Sequence, residues 1–238
     1  MKFRKRRGTP AALVLTAHPV PAAVLAAVLT AAAAGSGRPA RECALVAVTV
    51  LTGQLTVGWV SDLADRHRDR EVGRQDRPLA MGWVDPGTVA FVVACATLLV
   101  IPLSIANGTA AGLAHLGAVV AGWIGALWLR RTWLSWLPWA ISFGLYPAFL
   151  SYGGWGGGLH GAPPTLAVTA LAALLGVGVH VLLALPDLVE DKATGLQHLP
   201  LRIALRIGAP RLLVLAGALT AVVAAGLVAA AVTVGLRQ

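Results

Sequence analysis

Apolar runs of about 18 residues or more recur along the whole chain, and each is long enough to cross a bilayer as a helix. In hydrocarbon every backbone N–H and C=O must find its partner inside the protein, which leaves only helices and closed barrels. A barrel would show short segments of alternating polarity, and the sequence has none. The expected fold class is therefore all-α, a polytopic membrane helical bundle. Charged residues make up 12% of the 238 residues, against about 25% in a soluble domain, which excludes a soluble enzyme. The 57% hydrophobic share excludes a disordered chain. Two cysteines, Cys43 and Cys95, are too few for a disulfide scaffold and read as packing residues. Ala, Leu, Val and Gly dominate, and small residues suit close helix contacts in lipid.

Seven apolar segments can be drawn, roughly 11–34, 43–60, 88–106, 109–129, 133–151, 164–186 and 211–235. Pro19 and Pro21 predict a kink or a late start in the first. With a cytoplasmic N-terminus, the inside segments hold Lys2, Arg4, Lys5, Arg6 and Arg7, then Arg66, Arg68, Arg70, Arg74 and Arg77. They also hold Arg130 and Arg131, then Lys192, Arg202, Arg206 and Arg211. That is 16 of the 19 basic residues, with Arg38, Arg41 and Arg237 left outside, so the positive-inside rule selects this orientation. The chain is expected in the cell membrane, with both long polar stretches, 61–87 and 187–210, on the cytoplasmic side. The net charge of +9 thus has a topological origin, and without a basic patch interleaved with aromatics no nucleic acid is expected as a partner. Trp128, Trp133, Trp136 and Trp139 surround Arg130 and Arg131 and read as an interfacial belt. Basic residues, an apolar run and small residues at 31–35 also fit a secretory signal. The 24-residue run is long for that, and a retained helix is expected.

Nine of the ten acidic residues fall in the two polar stretches: Asp62, Asp65, Asp69, Glu71, Asp76, Asp85, Asp187, Glu190 and Asp191. Asp62, Asp65 and Asp69 share one face if the second helix continues past Trp59, and Asp187 and Asp191 lie one turn apart. Like charges at helical spacing repel, so a purely structural helix avoids stacking them. Two such clusters at one membrane face suit a divalent cation. The alternative is an acid-rich solvated loop balanced by its arginines. Mg²⁺ takes few carboxylates and fills its remaining positions with water and phosphate oxygens.

Residues 53–82, GQLTVGWVSDLADRHRDREVGRQDRPLAMG, resemble the first signature of the UbiA superfamily of intramembrane prenyltransferases, Asn-Asp-x-x-Asp-x-x-x-Asp followed by Arg/Lys-Pro-Leu. Residues 187–202, DLVEDKATGLQHLPLR, resemble the second: Asp-x-x-x-Asp, Gly, then Leu-Pro-x-Arg. The early His18-Pro19-Val20-Pro21 is similar to the first helix of bacterial members, and similarity runs over about residues 11–210. Ser61 stands where the family has Asn, and His198 where Thr is common. The resemblance implies a single prenyltransferase domain over residues 1–238, with about seven helices where relatives have nine. The flank of the missing two is then covered by lipid, as a lateral portal lined by Ala, Val and Leu, or by the second chain of a homodimer.

The resemblance further implies transfer of an isoprenoid chain from a prenyl diphosphate donor to an aromatic or other lipophilic acceptor. Asp62, Asp65, Asp187 and Asp191 would hold Mg²⁺ from opposite sides as the catalytic carboxylates, with Asp69 an additional ligand. Ser61 would orient water or touch phosphate, and Arg66, Arg70, Arg77 and Lys192 would clamp diphosphate oxygens. Trp59, Trp123 and Tyr146 are candidates for the cavity wall, although helix packing is the simpler reading of each. His180 shares a helix face with Asp187 but reads first as a packed residue, as do His115 and His160. Gly153–Gly158 reads as a flexible outer loop, lacking the lysine of a phosphate-binding loop. A membrane terpene cyclase, capturing the allylic cation within the donor itself, shares the first step, and a catalytically silent relative is the second alternative. A cation carrier would place its acids near the bilayer midplane, not at span ends. A retinal-type receptor needs a lysine in the last span, and 211–235 has none.

Overall fold

The computed structural model describes residues 9–154, 162–231 and 233, which are helical with no strand among them. Lys2, Arg4, Lys5, Arg6, Arg7, Gly156–Gly158, His160 and Arg237 lie outside the described residues. Helix α1 (Thr9–Thr16) and α2 (Pro19–Gly35) form a broken pair bent by 63°. Proline at the start of α2 cannot donate to a preceding turn, and His18 between them takes a left-handed backbone with φ 51°. The kink expected at Pro19 is therefore a complete break one residue earlier.

Helix α3 (Ala40–Glu71) runs for 32 residues, about 48 Å at 1.5 Å per residue, against roughly 30 Å of hydrocarbon. Its last turns, which carry the three spaced aspartates, extend beyond the apolar stretch. Asp85 caps α4 (Pro86–Ala106) by accepting from the Thr88 amide at 3.0 Å. A tight turn at Asn107 and Gly108 joins it to α5 (Thr109–Leu127). A 3-10 turn (Leu129–Arg131) leads to α6 (Leu137–Ser151), and Thr165 caps α7 (Leu166–Ala184). The second polar stretch is a 3-10 turn (Leu185–Asp187), the short α8 (Leu188–Ala193) and the amphipathic α9 (Leu199–Ile207), before α10 (Ala209–Ala230).

Long helices consecutive along the chain pack together, α2 on α3, α3 on α4, α4 on α5, α5 on α6 and α6 on α7. Helix α7 meets α10 across the short α8 and α9, and α3 also meets α5. Small residues set these distances. A Cβ on Gly178 of α7 would come within 2.2 Å of Thr220 on α10, and one on Gly58 of α3 within 2.1 Å of the Ala17 carbonyl. Five helices among the described residues are long and apolar enough to span a membrane: α3, α4, α5, the α7–α8 stretch and α10. Counted as one broken span, the bent α1–α2 pair makes a sixth. The segment expected at 133–151 forms only the 15 residues of α6. Cys43 is buried in the core shared by α2, α3, α5 and α6, as expected of a packing residue. Cys95 is exposed on α4 rather than buried in the bundle, unlike the packing residue expected.

Candidate active site

The face of α3 bearing Asp62, Asp65 and Asp69 turns inward, and each aspartate is only 3% exposed. Carboxylates are rarely buried so completely unless paired, and all three are. Asp62 Oδ1 accepts from Arg77 Nη1 at 3.0 Å and lies 2.7 Å from His18 Nε2. The break between α1 and α2 is what brings that imidazole over the end of α3. Asp65 pairs with Arg130, at 3.7 Å with Arg68, and with Arg131 at the same distance. Asp69 accepts from Arg68 Nη2 at 3.3 Å.

The second cluster lies at the same end of the bundle. Arg68 reaches across from α3 to Asp191 on α8 at 3.3 Å, and His198 Nε2 meets the other Asp191 oxygen at 2.8 Å. Arg77 touches Asp62 with one nitrogen and stands 3.9 Å from Asp187 with another. Arg74 donates to Asp76 at 2.9 Å and Asp187 at 3.0 Å, and also pairs with Glu190. Single guanidinium groups therefore tie the acids of α3 to those following α7. The hydrogen bond from Arg74 pulls the Asp76 carboxyl down to about 2, and Asp76 and Asp187 in turn raise the Arg74 guanidinium above its ordinary value. Burial lowers Arg130, while Asp191, Asp187 and Asp62 all act in the opposite sense, so this cation senses both clusters.

Below the acids a cavity of about 230 Å³ opens between α3, α5, α6 and α7. Ser61, Arg130, Asp187, Asp191 and His198 line its polar mouth. Ala126 and Leu183 line it next below the mouth, Gly122 and Phe143 further in, with Gln54 and Tyr146 deepest and joined by a 2.8 Å hydrogen bond. Trp139 stacks on His180, their ring centroids 5.5 Å apart, along one wall.

The profile of the UbiA prenyltransferase family matches residues 20–237. The chain belongs to the UbiA prenyltransferase family. Its fold is similar to that of a UbiA homolog from Archaeoglobus fulgidus bound to GPP and Mg²⁺. The TM-score is 0.67 at 18% identity, over 90% of this chain and 76% of that one. A UbiA homolog structure from the same organism bound to DMAPP and Mg²⁺ gives 0.67 at 18% identity, over 89% and 75% of the two chains. One bound to Cd²⁺ gives 0.66 at 19%, over 91% and 77%. No curated protein matches the sequence.

Of the residues expected to serve a UbiA site, the structure gathers Ser61, Asp62, Asp65, Asp69, Arg77, Asp187 and Asp191. Arg66 instead donates to the Leu63 carbonyl at 3.3 Å, Arg70 to the Ala80 carbonyl at 3.3 Å, and Lys192 is exposed with no ion pair among the described residues. Arg68, Arg74 and Arg130 are instead among the cations that meet the carboxylates. Arg130 donates to Ser61 Oγ at 3.0 Å, although its Trp-flanked setting reads as an interfacial belt. That belt is itself divided: Trp128 and Trp133 are exposed, whereas Trp139 faces the cavity. Tyr146 lines the cavity, but Trp59 donates to the Leu13 carbonyl and Trp123 to Thr56, within the packing. His180 is not merely packed. It borders the cavity and bonds Ser135 Oγ at 3.0 Å, whereas His115 is fully buried beside Ser104. Among the described residues no three His, Cys, Asp or Glu side chains converge on a point fit for a metal. Asp62 Oδ2 and Asp65 Oδ1 are nonetheless buried without a hydrogen-bond partner. Such oxygens suit Mg²⁺, which uses one or two carboxylates and takes its other ligands from water and phosphate.

Proposed function

We propose that this UbiA protein is a Mg²⁺-dependent intramembrane prenyltransferase that moves an isoprenoid chain from a prenyl diphosphate to an aromatic or other lipophilic acceptor. The observation that carries the reading is the junction of two carboxylate clusters, bridged by Arg68 and Arg77, over an apolar cavity. GPP and DMAPP, the ligands of the A. fulgidus homolog, are donors of the class such a cavity suits. The seven-pass topology with a cytoplasmic N-terminus belongs to the same proposal, α6 making the seventh pass.

Asp62, Asp65, Asp187 and Asp191 would hold Mg²⁺, with Asp69 supporting. Bound Mg²⁺ supplies charge neutralisation of the diphosphate and makes it a better leaving group. Arg68, Arg74, Arg77 and Arg130 occupy the carboxylates now and are positioned to turn to phosphate oxygens as donor and metal enter. Ser61 steadies Arg130 at the mouth. The donor C–O bond breaks with its electron pair leaving on diphosphate, and the allylic cation forms beneath the arginines. Trp139 and Phe143, nearer the mouth on α6 than Tyr146, are the aromatic rings that would stabilise positive charge. The largely apolar lining below the mouth would limit access of water that quenches it. A nucleophilic acceptor carbon then bonds to the cation and releases its proton.

Incubating the reconstituted protein with Mg²⁺, geranyl diphosphate and membrane lipid extract, followed by mass spectrometry, tests the assignment. Prenylated lipid that needs the extract is the expected product. A cyclic hydrocarbon from donor alone would instead make the protein a terpene cyclase. Absence of any donor consumption would favour a silent relative.

A further inference from the structure

We infer that Gln54 and Tyr146 form a floor that limits the donor to about two isoprene units, an inference that rests on the prenyl diphosphate reading above. Gln54 and Ser61 lie on α3 and line the same cavity, Ser61 at the charged mouth and Gln54 two turns deeper. Seven residues at 1.5 Å each put about 10 Å between them along the helix axis. An isoprene unit adds four bonds of about 1.5 Å in zigzag, or roughly 5 Å extended. A chain anchored by its diphosphate at the mouth therefore meets the floor after two units.

The floor is a built feature of the cavity. Gln54 Nε2 donates to Tyr146 Oη at 2.8 Å across the space between α3 and α6. Tyr146 is 4% exposed, its ring set edge-on to Phe143 at 5.7 Å and packed in the core with Phe149 and Val50. Passing further would require a hydrocarbon chain to part this bond where no water can satisfy the two groups. An apolar floor of flexible side chains would yield by rotamer changes, whereas this one is held by a ring and a hydrogen bond. Ser142, one turn nearer the mouth on α6, also lines the cavity and bonds the Ala118 carbonyl at 2.8 Å. It offers the opposite lever, since a larger side chain there raises the floor.

Competition binding against labelled geranyl diphosphate with Mg²⁺, in one detergent throughout, needs no acceptor and no turnover. The probes are dimethylallyl, geranyl and geranylgeranyl diphosphates, read as affinity ratios so that partition into detergent cancels between variants. Tyr146→Ala and Gln54→Ala should each shift the geranylgeranyl-to-geranyl ratio toward the longer donor by about tenfold or more relative to wild type. Ser142→Leu should shift the geranyl-to-dimethylallyl ratio toward the shorter donor by a similar factor. Unchanged ratios in folded variants would overturn the floor while leaving the donor reading intact. Wild-type protein that binds none of the three would overturn the donor reading itself, and the floor with it. The opposed directions of the two variant classes separate this role from general destabilisation, which weakens all donors alike.

Discussion

At the level of single side chains, Asp62 and Asp65 are buried and only partly satisfied, which supports the metal-holding role proposed for them. Asp62→Ala and Asp191→Ala should each lower turnover by about 100-fold or more, because both remove carboxylates proposed to hold the metal. Both variants should remain folded in the membrane, as judged by monodisperse elution and helical circular dichroism. Loss of one partner from a buried ion pair ordinarily costs about 3–5 kcal/mol. Here Arg77 keeps Asp69, Asp76 and Asp187 within 3.9 Å when Asp62 is removed. Near-normal rates in either variant would reject the assignment. The Arg74 clasp has its own signature. Asp76 is held below its ordinary value, so its pairing contributes fully above about pH 4. That contribution fades as the pH falls through about 2. Protease resistance of the 72–85 segment should therefore be flat from neutral pH to about 4 and fall only below it, and Asp76→Asn should weaken it at neutral pH.

The same scale shows what the sequence could carry. Spacings of three and four residues placed Asp62, Asp65 and Asp69 on one face without any knowledge of their neighbours. The arginines were not legible in this way. Arg66 lies closer to the acid stripe on the helical wheel than Arg68 does, yet Arg68 is the one that meets Asp191. The choice depends on which side of α3 the α8 turn occupies, a tertiary fact. Arg130 was hidden for a similar reason, since tryptophans beside a cation describe an interfacial belt equally well.

At the level of elements, one break and one extension shape the candidate site: the discontinuity at His18 and the overrun of α3 past the apolar stretch. The conditional reading that α3 continues beyond Trp59 is met, and the helix ends only at Glu71. The break at His18 was foreseeable from Pro19 and Pro21, but its role was not, because proline pairs say nothing about what the preceding side chain touches. Gly58 is where the α1–α2 break meets α3, for it lets the Ala17 carbonyl come against that helix. Gly58→Ala should push α1 away, lower stability by about 1–3 kcal/mol, and weaken donor binding by displacing His18 from Asp62. Gly178→Ala crowds Thr220 between α7 and α10. It should lower the thermal midpoint comparably with a smaller effect on donor binding, because its contact lies away from the acid clusters. Equal binding losses in the two variants would contradict the role given to the break.

For the whole molecule, asymmetric burial describes its surroundings. Only 17% of the most apolar windows of α4 and α10 are buried, whereas α3 and α5 reach 39%. The exposed side of α10 carries Leu213, Val214, Leu215, Leu219, Val222 and Val228, all apolar, as a lipid-facing surface requires. Hydropathy made these spans readable but left α6 marginal, because a 15-residue helix with Pro147 inside it is short for a bilayer. A single cysteine at position 75, in a background without Cys43 and Cys95, should react with an impermeant maleimide only after the cytoplasmic face is opened. Labelling of intact cells would reverse the topology proposed here.

The central claim is that the two acid clusters act as one site, and a double-mutant cycle on donor affinity tests it most directly. Geranyl diphosphate binding with Mg²⁺ would be measured for the wild type, Asp62→Asn, Asp191→Asn and the double variant. One shared site predicts strong non-additivity, with the double variant binding little worse than either single one. Losses that simply add, as for independent positions, would contradict a common metal–diphosphate site.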